Sequence, residues 1–128
     1  MTQYNGIHHA SVLVRDTARA LAFYHDVLGL EIDSRRPDLG YPGAWLRIGT
    51  AQVHLLQLPS PDPALGRPDH PGRDRHLALT IKDLAPLKTA LEQAGIPYTL
   101  SRSGRKALFC RDPDGNGLEF VQVEEKPG

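Results

Sequence analysis

Polar and apolar positions in this chain follow a period of two in some stretches and a helical period in others, and the order of those stretches repeats. Near the start, Ala10, Val12 and Val14 would share one face of a strand, with His9, Ser11 and Leu13 on the other. Further on, Leu77, Leu79 and Ile81 share one face, with His76, Ala78 and Thr80 on the other. An aspartate follows each histidine by seven residues, so His9 and Asp16 map onto His76 and Asp83 with one offset of 67 residues. Repetition at a fixed spacing points to two related supersecondary units.

The copies stay in step beyond the aspartates. Asp16 and Asp83 suit N-caps, because a carboxylate accepts from the free N–H groups of a first helical turn. Ala20, Leu21, Tyr24, Val27 and Leu28 then recur at helical spacing, as do Leu84, Leu87, Ala90, Leu91 and Ala94. Pro86 falls in a first turn, where its missing N–H matters little. Gly29 and Gly95 stand where a left-handed residue would end each helix. Strands are expected over 30–34, 44–48 and 52–58 in the first copy, and over 96–100, 106–111 and 117–123 in the second. Asp112-Pro113-Asp114-Gly115-Asn116 is a strong turn signal before the last strand. The pattern predicts an α+β chain of two βαβββ modules, 6–58 and 76–123, within one domain spanning 1–128. The stretch 59–75 carries five prolines and two glycines and reads as a surface linker.

The faces opposite the apolar ones carry the chemistry. His9 and His76 occupy equivalent positions there. His54 and Glu119 sit in the last strand of each copy, 65 residues apart, and each is a lone polar group between apolar neighbours. A carboxylate so placed needs a partner. Three imidazoles and one carboxylate suit Zn, Ni, Co, Fe or Mn better than a thiolate-preferring ion. The expected metal ligands are therefore His9, His54, His76 and Glu119. Such a set leaves positions for water and substrate, so the ion can polarise a carbonyl or stabilise an enediolate oxygen.

Composition narrows the partners. Fifteen basic and fifteen acidic residues cancel, so nothing in the charge predicts nucleic acid or an anionic membrane as partner. No apolar run approaches the roughly 20 residues that span a bilayer. Cys110 is the only cysteine, which excludes an intrachain disulfide and points to the cytoplasm. The polar N-terminus lacks a signal-peptide pattern. Cys110 reads as a small buried strand residue, His8 as a structural or surface group facing away from His9, and His25 and His70 as solvated. Arg67, Arg73, Arg102, Arg105 and Lys106 are candidates to grip an anionic group, with Ser101-Arg102-Ser103-Gly104-Arg105 the densest cluster. Trp45 either lines the cleft or fills the core.

From Gly6 to about Val123 the chain resembles the vicinal-oxygen-chelate superfamily of glyoxalase, bleomycin-resistance and extradiol dioxygenase proteins. The resemblance rests on the strand from His9 to Asp16, Ala22-Phe23-Tyr24 with Leu28-Gly29-Leu30, the strand from His76 to Asp83, and Asp112-Pro113-Asp114-Gly115-Asn116 leading to Glu119. It implies paired βαβββ modules forming a cupped mixed sheet around a divalent metal. Glyoxalase I orders its ligands His, Glu, His, Glu, and here His54 stands in the second place. That removes a negative charge and a candidate base from a reaction that must move a proton between adjacent carbons. Glu119 and His54 become the candidate catalytic groups, and Arg105, Ser103 and Trp45 the candidate substrate-binding ones. The first reading is a metal-dependent lyase or isomerase of the glyoxalase type, acting on a small oxygenated molecule through metal-stabilised oxyanion chemistry. The alternatives are an Fe(II)-dependent extradiol-type dioxygenase and a non-catalytic small-molecule binder of the bleomycin-resistance type. A homodimer is expected, with ligands drawn from one chain or from two.

Overall fold

In a computed structural model, which describes residues 1–63 and 65–124, the chain divides between Ser60 and Pro61 into two compact units. The first runs β1 (His9–Leu13), α1 (Thr17–Leu21) continued by a π-helical segment (Ala22–Val27), β2 (Glu31–Asp33), β3 (Gly43–Ile48) and β4 (Ala51–Leu56). The second runs a 3₁₀ turn (Pro71–Arg73), β5 (His76–Ile81), α2 (Leu84–Gln93), β6 (Thr99–Leu100), β7 (Ala107–Arg111) and β8 (Gly117–Gln122). Each is a βαβββ module, so the α+β class and the doubled motif expected from the repeat are what the chain adopts. The strand orders match, β1-β4-β3-β2 and β5-β8-β7-β6. In each sheet the first strand runs parallel to the last and the remaining pairs are antiparallel.

Each sheet buries an apolar face, and in the second sheet Ala107, Phe109 and Glu119 of the opposite face are buried too. In the first unit Ala44, Leu46, Val53 and Leu55 are buried, as are Ala20, Phe23 and Tyr24 of the helical segment. In the second, Leu108, Cys110, Leu118 and Phe120 are buried, along with Leu84, Leu87 and Leu91 of α2. Burying a large apolar side chain is worth about 1.5–3 kcal/mol, and these positions fix which face of each strand turns inward.

The helix starts are capped twice. Asp16 accepts from the N–H groups of Ala18 and Arg19 at 2.9 and 3.3 Å, and Asp83 from that of Ala85 at 3.0 Å. A second acceptor arrives from beyond the sheet. Gln57 Oε1 takes the Thr17 N–H at 2.8 Å and its hydroxyl at 2.9 Å, and Gln122 Oε1 takes the Leu84 N–H at 2.9 Å. The end of the last strand thus holds the start of the helix in both modules. Gly29 and Gly95 end the helical segments at φ of 78° and 70°, as their left-handed role requires.

Several details differ from the sequence pattern. After Leu21 the helix widens, with Leu28 N–H bonding to Phe23 O at 2.9 Å. That five-residue reach turns Phe23 and Tyr24 into the core and leaves Leu21 half-buried. Strand β6 spans only Thr99–Leu100, because Pro97 has no N–H to give to a ladder. Within the expected linker 59–75, Pro71–Arg73 forms its 3₁₀ turn and packs on β7 and β8. His70, expected to be solvated, is half-buried and accepts from the Gly72 N–H at 3.0 Å. Among the described residues no helix is long and apolar enough to cross a membrane.

Asp74 ties the proline-rich stretch to β7. Its Oδ2 accepts from Arg67 Nε at 2.8 Å and from Arg111 Nη1 at 2.9 Å. The Arg111 hydrogen bond is the main reason that its carboxyl is held down at about 2 against an ordinary 3.8. A depressed carboxyl contributes stability that is present above its unfolded value and lost as pH falls through the folded one. We expect Asp74→Asn to lose stability at pH 6, and the gap to wild type to close between about pH 4 and pH 2 in urea unfolding measured across that range. A gap independent of pH would show that the carboxylate charge is not what anchors this stretch.

Candidate functional site

Register places the expected residues on the face opposite the apolar one that Leu46 and Leu55 mark in the first sheet and Leu108 and Leu118 in the second; in the second sheet that opposite face is itself buried at Phe109 and Glu119. In the first unit β1 and β4 pair Ser11 with His54, and β3 and β4 pair Trp45 with His54. His9 lies one alternation from Ser11, on the same face. The result is a three-ring stack. His54 lies between His9, with ring centroids 4.0 Å apart at 11°, and Trp45, at 4.5 Å and 9°. Trp45 is therefore a wall of this face, half-buried rather than part of the core.

The His54 edge is held as well. Its Nε2 lies 2.9 Å from Gln52 Oε1, and Gln52 Nε2 donates to Asp33 Oδ2 at 2.9 Å. Asp33 is 1% exposed and takes Arg35 through both oxygens, from Nε at 2.9 Å and Nη2 at 2.7 Å. The bonds from Arg35 keep the Asp33 carboxyl far below the usual carboxylate range. Burial lowers the His54 value, with smaller contributions from His9, His8 and Arg36, so its neutral form is favoured. His8 corrects the expectation from alternation. It precedes β1 and turns back, so that its Nδ1 lies 2.8 Å from His9 Nδ1.

In the second unit Glu119 pairs with Ala78 on β5 and Phe109 on β7. It is 4% exposed. Its Oε1 lies 3.1 Å from His76 Nε2, and its Oε2 accepts from Arg105 Nη2 at 2.9 Å. Arg105 Nε also donates to Ser103 Oγ at 3.2 Å, and Ser103 shares a hydrogen bond with Ser101 at 2.8 Å. Arg105, expected to grip substrate, is thus joined to the carboxylate.

His76 Nδ1 lies 2.9 Å from the Asp74 carbonyl oxygen. A carbonyl only accepts, so Nδ1 carries the hydrogen and Nε2 is the atom turned to Glu119. The position of Glu119 is in turn set by the β7–β8 turn. Asp112 is buried there and accepts from the N–H groups of Asp114 and Asn116, both at 2.8 Å. This is the physical content of the Asp112–Asn116 motif.

Cys110 is buried, and desolvation pushes its thiol up to about 12, so it is no nucleophile at neutral pH. Among the described residues no three His, Cys, Asp or Glu side chains stand together as a metal-holding group. Each unit brings two of the expected ligands together, His9 with His54 and His76 with Glu119.

The Glyoxalase/Bleomycin resistance protein/Dioxygenase superfamily pattern matches residues 6–120, and the chain belongs to that superfamily. It is 32% identical over 127 residues to Glyoxylase I 4 of Arabidopsis thaliana, covering 94% of this chain and 72% of that protein. It is 32% identical over 118 residues to Glutathione transferase FosA of Serratia marcescens, covering 89% and 78%. A crystal structure from Bacillus anthracis, assigned to the glyoxalase family, superposes with a TM-score of 0.80 at 25% identity, covering 97% and 100%. The chain is a glyoxalase-like member of its superfamily.

Asp33, Gln52, Asp74 and Phe109 take part in these arrangements and were not singled out by sequence. Period alone could have put Gln52 on the His54 face, since it lies two residues before it, whereas Asp33 faces Trp45 across β2 and β3, a register that period does not give. Glu119 is buried and its charge is compensated by Arg105, which is itself 57% exposed. Removing one partner of a buried pair leaves a charge uncompensated, and solvent access at the guanidinium reduces the cost. Arg105→Ala should therefore destabilise the metal-free protein by about 1–3 kcal/mol in chemical unfolding. No change would mean that Glu119 does not depend on Arg105.

Proposed function

We propose that this protein is a metal-dependent enzyme of the glyoxalase type, a lyase or isomerase acting on a small oxygenated molecule. In this reading His9, His76 and Glu119 hold one divalent ion, with His54 as a further donor. The observation that carries it is the pair in the second unit. His76 presents a nitrogen whose hydrogen lies on the far side of the ring, and that nitrogen faces a buried carboxylate oxygen at 3.1 Å. Two such acceptors aimed at one point call for a cation between them, a proton or a metal ion. The backbone carbonyl behind His76 is the kind of outer partner that orients a ligating imidazole.

The first unit fits less directly. Imidazole lone pairs lie in the ring plane, so the nearly parallel rings of His9 and His54 aim side by side and do not converge. One ring must turn for both to serve one ion. His9 is exposed, whereas His54 is stacked on both faces and held at its edge, so His9 is the ring to turn.

A divalent ion bound there supplies Lewis acidity toward a substrate oxygen on which negative charge develops. Glu119 is the residue placed to take or return a proton, and Arg105 and Ser103 stand beside it to orient an anionic substituent. Trp45 offers a flat apolar wall. A homodimer in the cytoplasm completes the proposal, and a monomeric mass in light scattering of metal-retaining protein would count against the dimer. A second reading has its own observation. Both oxygens of Glu119 already have partners in His76 and Arg105, which suits a binding protein that uses no metal.

Elemental analysis of purified protein, beside His9→Ala and Glu119→Ala, separates these readings. The proposal expects about one metal per chain in wild type and loss from both variants. Zinc, nickel or cobalt favours the lyase or isomerase assignment, and iron directs attention to O2-dependent ring cleavage. No metal in wild type after reconstitution would favour the binding protein.

A further inference from the structure

The hydrogen-bond chain behind His54 has a direction, and it fixes which ring nitrogen the histidine can offer. Asp33 is buried and engaged by Arg35 through both oxygens, so it is an ionised acceptor with no hydrogen to give. Gln52 lies 2.9 Å from Asp33 Oδ2 and must meet it with its NH2 group. The amide then has only its carbonyl oxygen left for His54, whose Nε2 lies 2.9 Å away. A carbonyl oxygen accepts, so that nitrogen carries the hydrogen. Neutral imidazole has one N–H, so Nδ1 carries the lone pair. Stacked on Trp45, the ring cannot exchange its edges without breaking that stack and the Gln52 hydrogen bond.

We infer that Asp33 and Gln52 are positioning residues that lock His54 as its Nε2–H tautomer, so that Nδ1 is the atom it presents to the bound ion or substrate. The inference rests on the reading that His54 serves the site, and it deepens that reading by naming the atom. It also assigns work to two residues outside the expected ligand set. The second module uses a different device for the same end. There His76 is oriented by the Asp74 backbone carbonyl and presents Nε2. The two half-sites would therefore offer opposite ring atoms, a difference that follows from what stands behind each histidine.

The test is nitrogen NMR of metal-free protein carrying 15N-labelled histidine, at a pH where His54 is neutral. Protonated and lone-pair ring nitrogens have well separated shifts, so the tautomer is read directly. Wild type should show His54 with the hydrogen on Nε2 alone. Gln52→Leu removes the acceptor and should give a mixture of tautomers. Gln52→Glu combined with Asp33→Asn keeps an acceptor toward His54 with a donor behind it and should retain the Nε2–H form, which separates hydrogen-bond acceptance from mere packing. A wild-type His54 protonated on Nδ1, or a Gln52→Leu spectrum identical to wild type, would overturn the inference. Because the readout needs no metal, a chain that takes up none would refute the proposed function and leave this assignment standing.

Discussion

A carboxylate taken out of water must be met by positive charge or by several donors. Glu119 is the place where that requirement bears on this protein. It sits in the middle strand pair of its sheet, buried, with His76 on one oxygen and Arg105 on the other. Besides Arg105, what positions it lies in the turn before its strand, the pairing of that strand and one backbone carbonyl. The Asp112 turn sets where β8 begins, the parallel pairing of β5 with β8 brings His76 alongside, and the Asp74 carbonyl turns the imidazole so that Nε2 faces the carboxylate. The same Asp74 uses its side chain to hold Arg67 and Arg111. One residue therefore ties the proline-rich stretch to the sheet and aims a candidate ligand.

The first module solves a different problem with the same frame. His54 occupies the position that corresponds to Glu119, and Trp45 the position that corresponds to Phe109. A neutral ring has no charge to compensate, so it needs no ion pair of the kind that Arg105 makes with Glu119. It is held by stacking on both faces and by Gln52 and Asp33 at its edge. The buried charge in that module has moved to Asp33, where Arg35 meets it. The two modules thus share their caps, from Asp16 and Asp83 and from Gln57 and Gln122, while the residues on the opposite faces differ. Caps and candidate ligands lie on opposite faces of each sheet.

Much of this was legible in the residues. A period of two with a histidine at its head, an aspartate cap and a helical period after it defined the modules and sorted each strand onto its faces. The family resemblance added the order of the ligand positions. What could not be read has identifiable causes. The π-helical widening after Leu21 shifts which side chains face inward, and a 3.6-residue template cannot anticipate it. His8 lies before the strand, so alternation did not apply to it. Arg105 stands in a loop, where sequence spacing says nothing of reach, and its bond to Glu119 appears only in three dimensions. The links through Gln52 and Asp33 join separate strands and depend on register, which a single strand pattern leaves open.

The central claim is that these histidines and Glu119 hold one metal ion, and X-ray absorption at the edge of the copurified or reconstituted metal tests it most directly. The account predicts a first shell of imidazole nitrogens and carboxylate oxygen at about 2.0–2.2 Å, with the outer scattering that imidazole rings give, reduced in His76→Ala. A shell of oxygens alone, without imidazole scattering and unchanged in that variant, would contradict it.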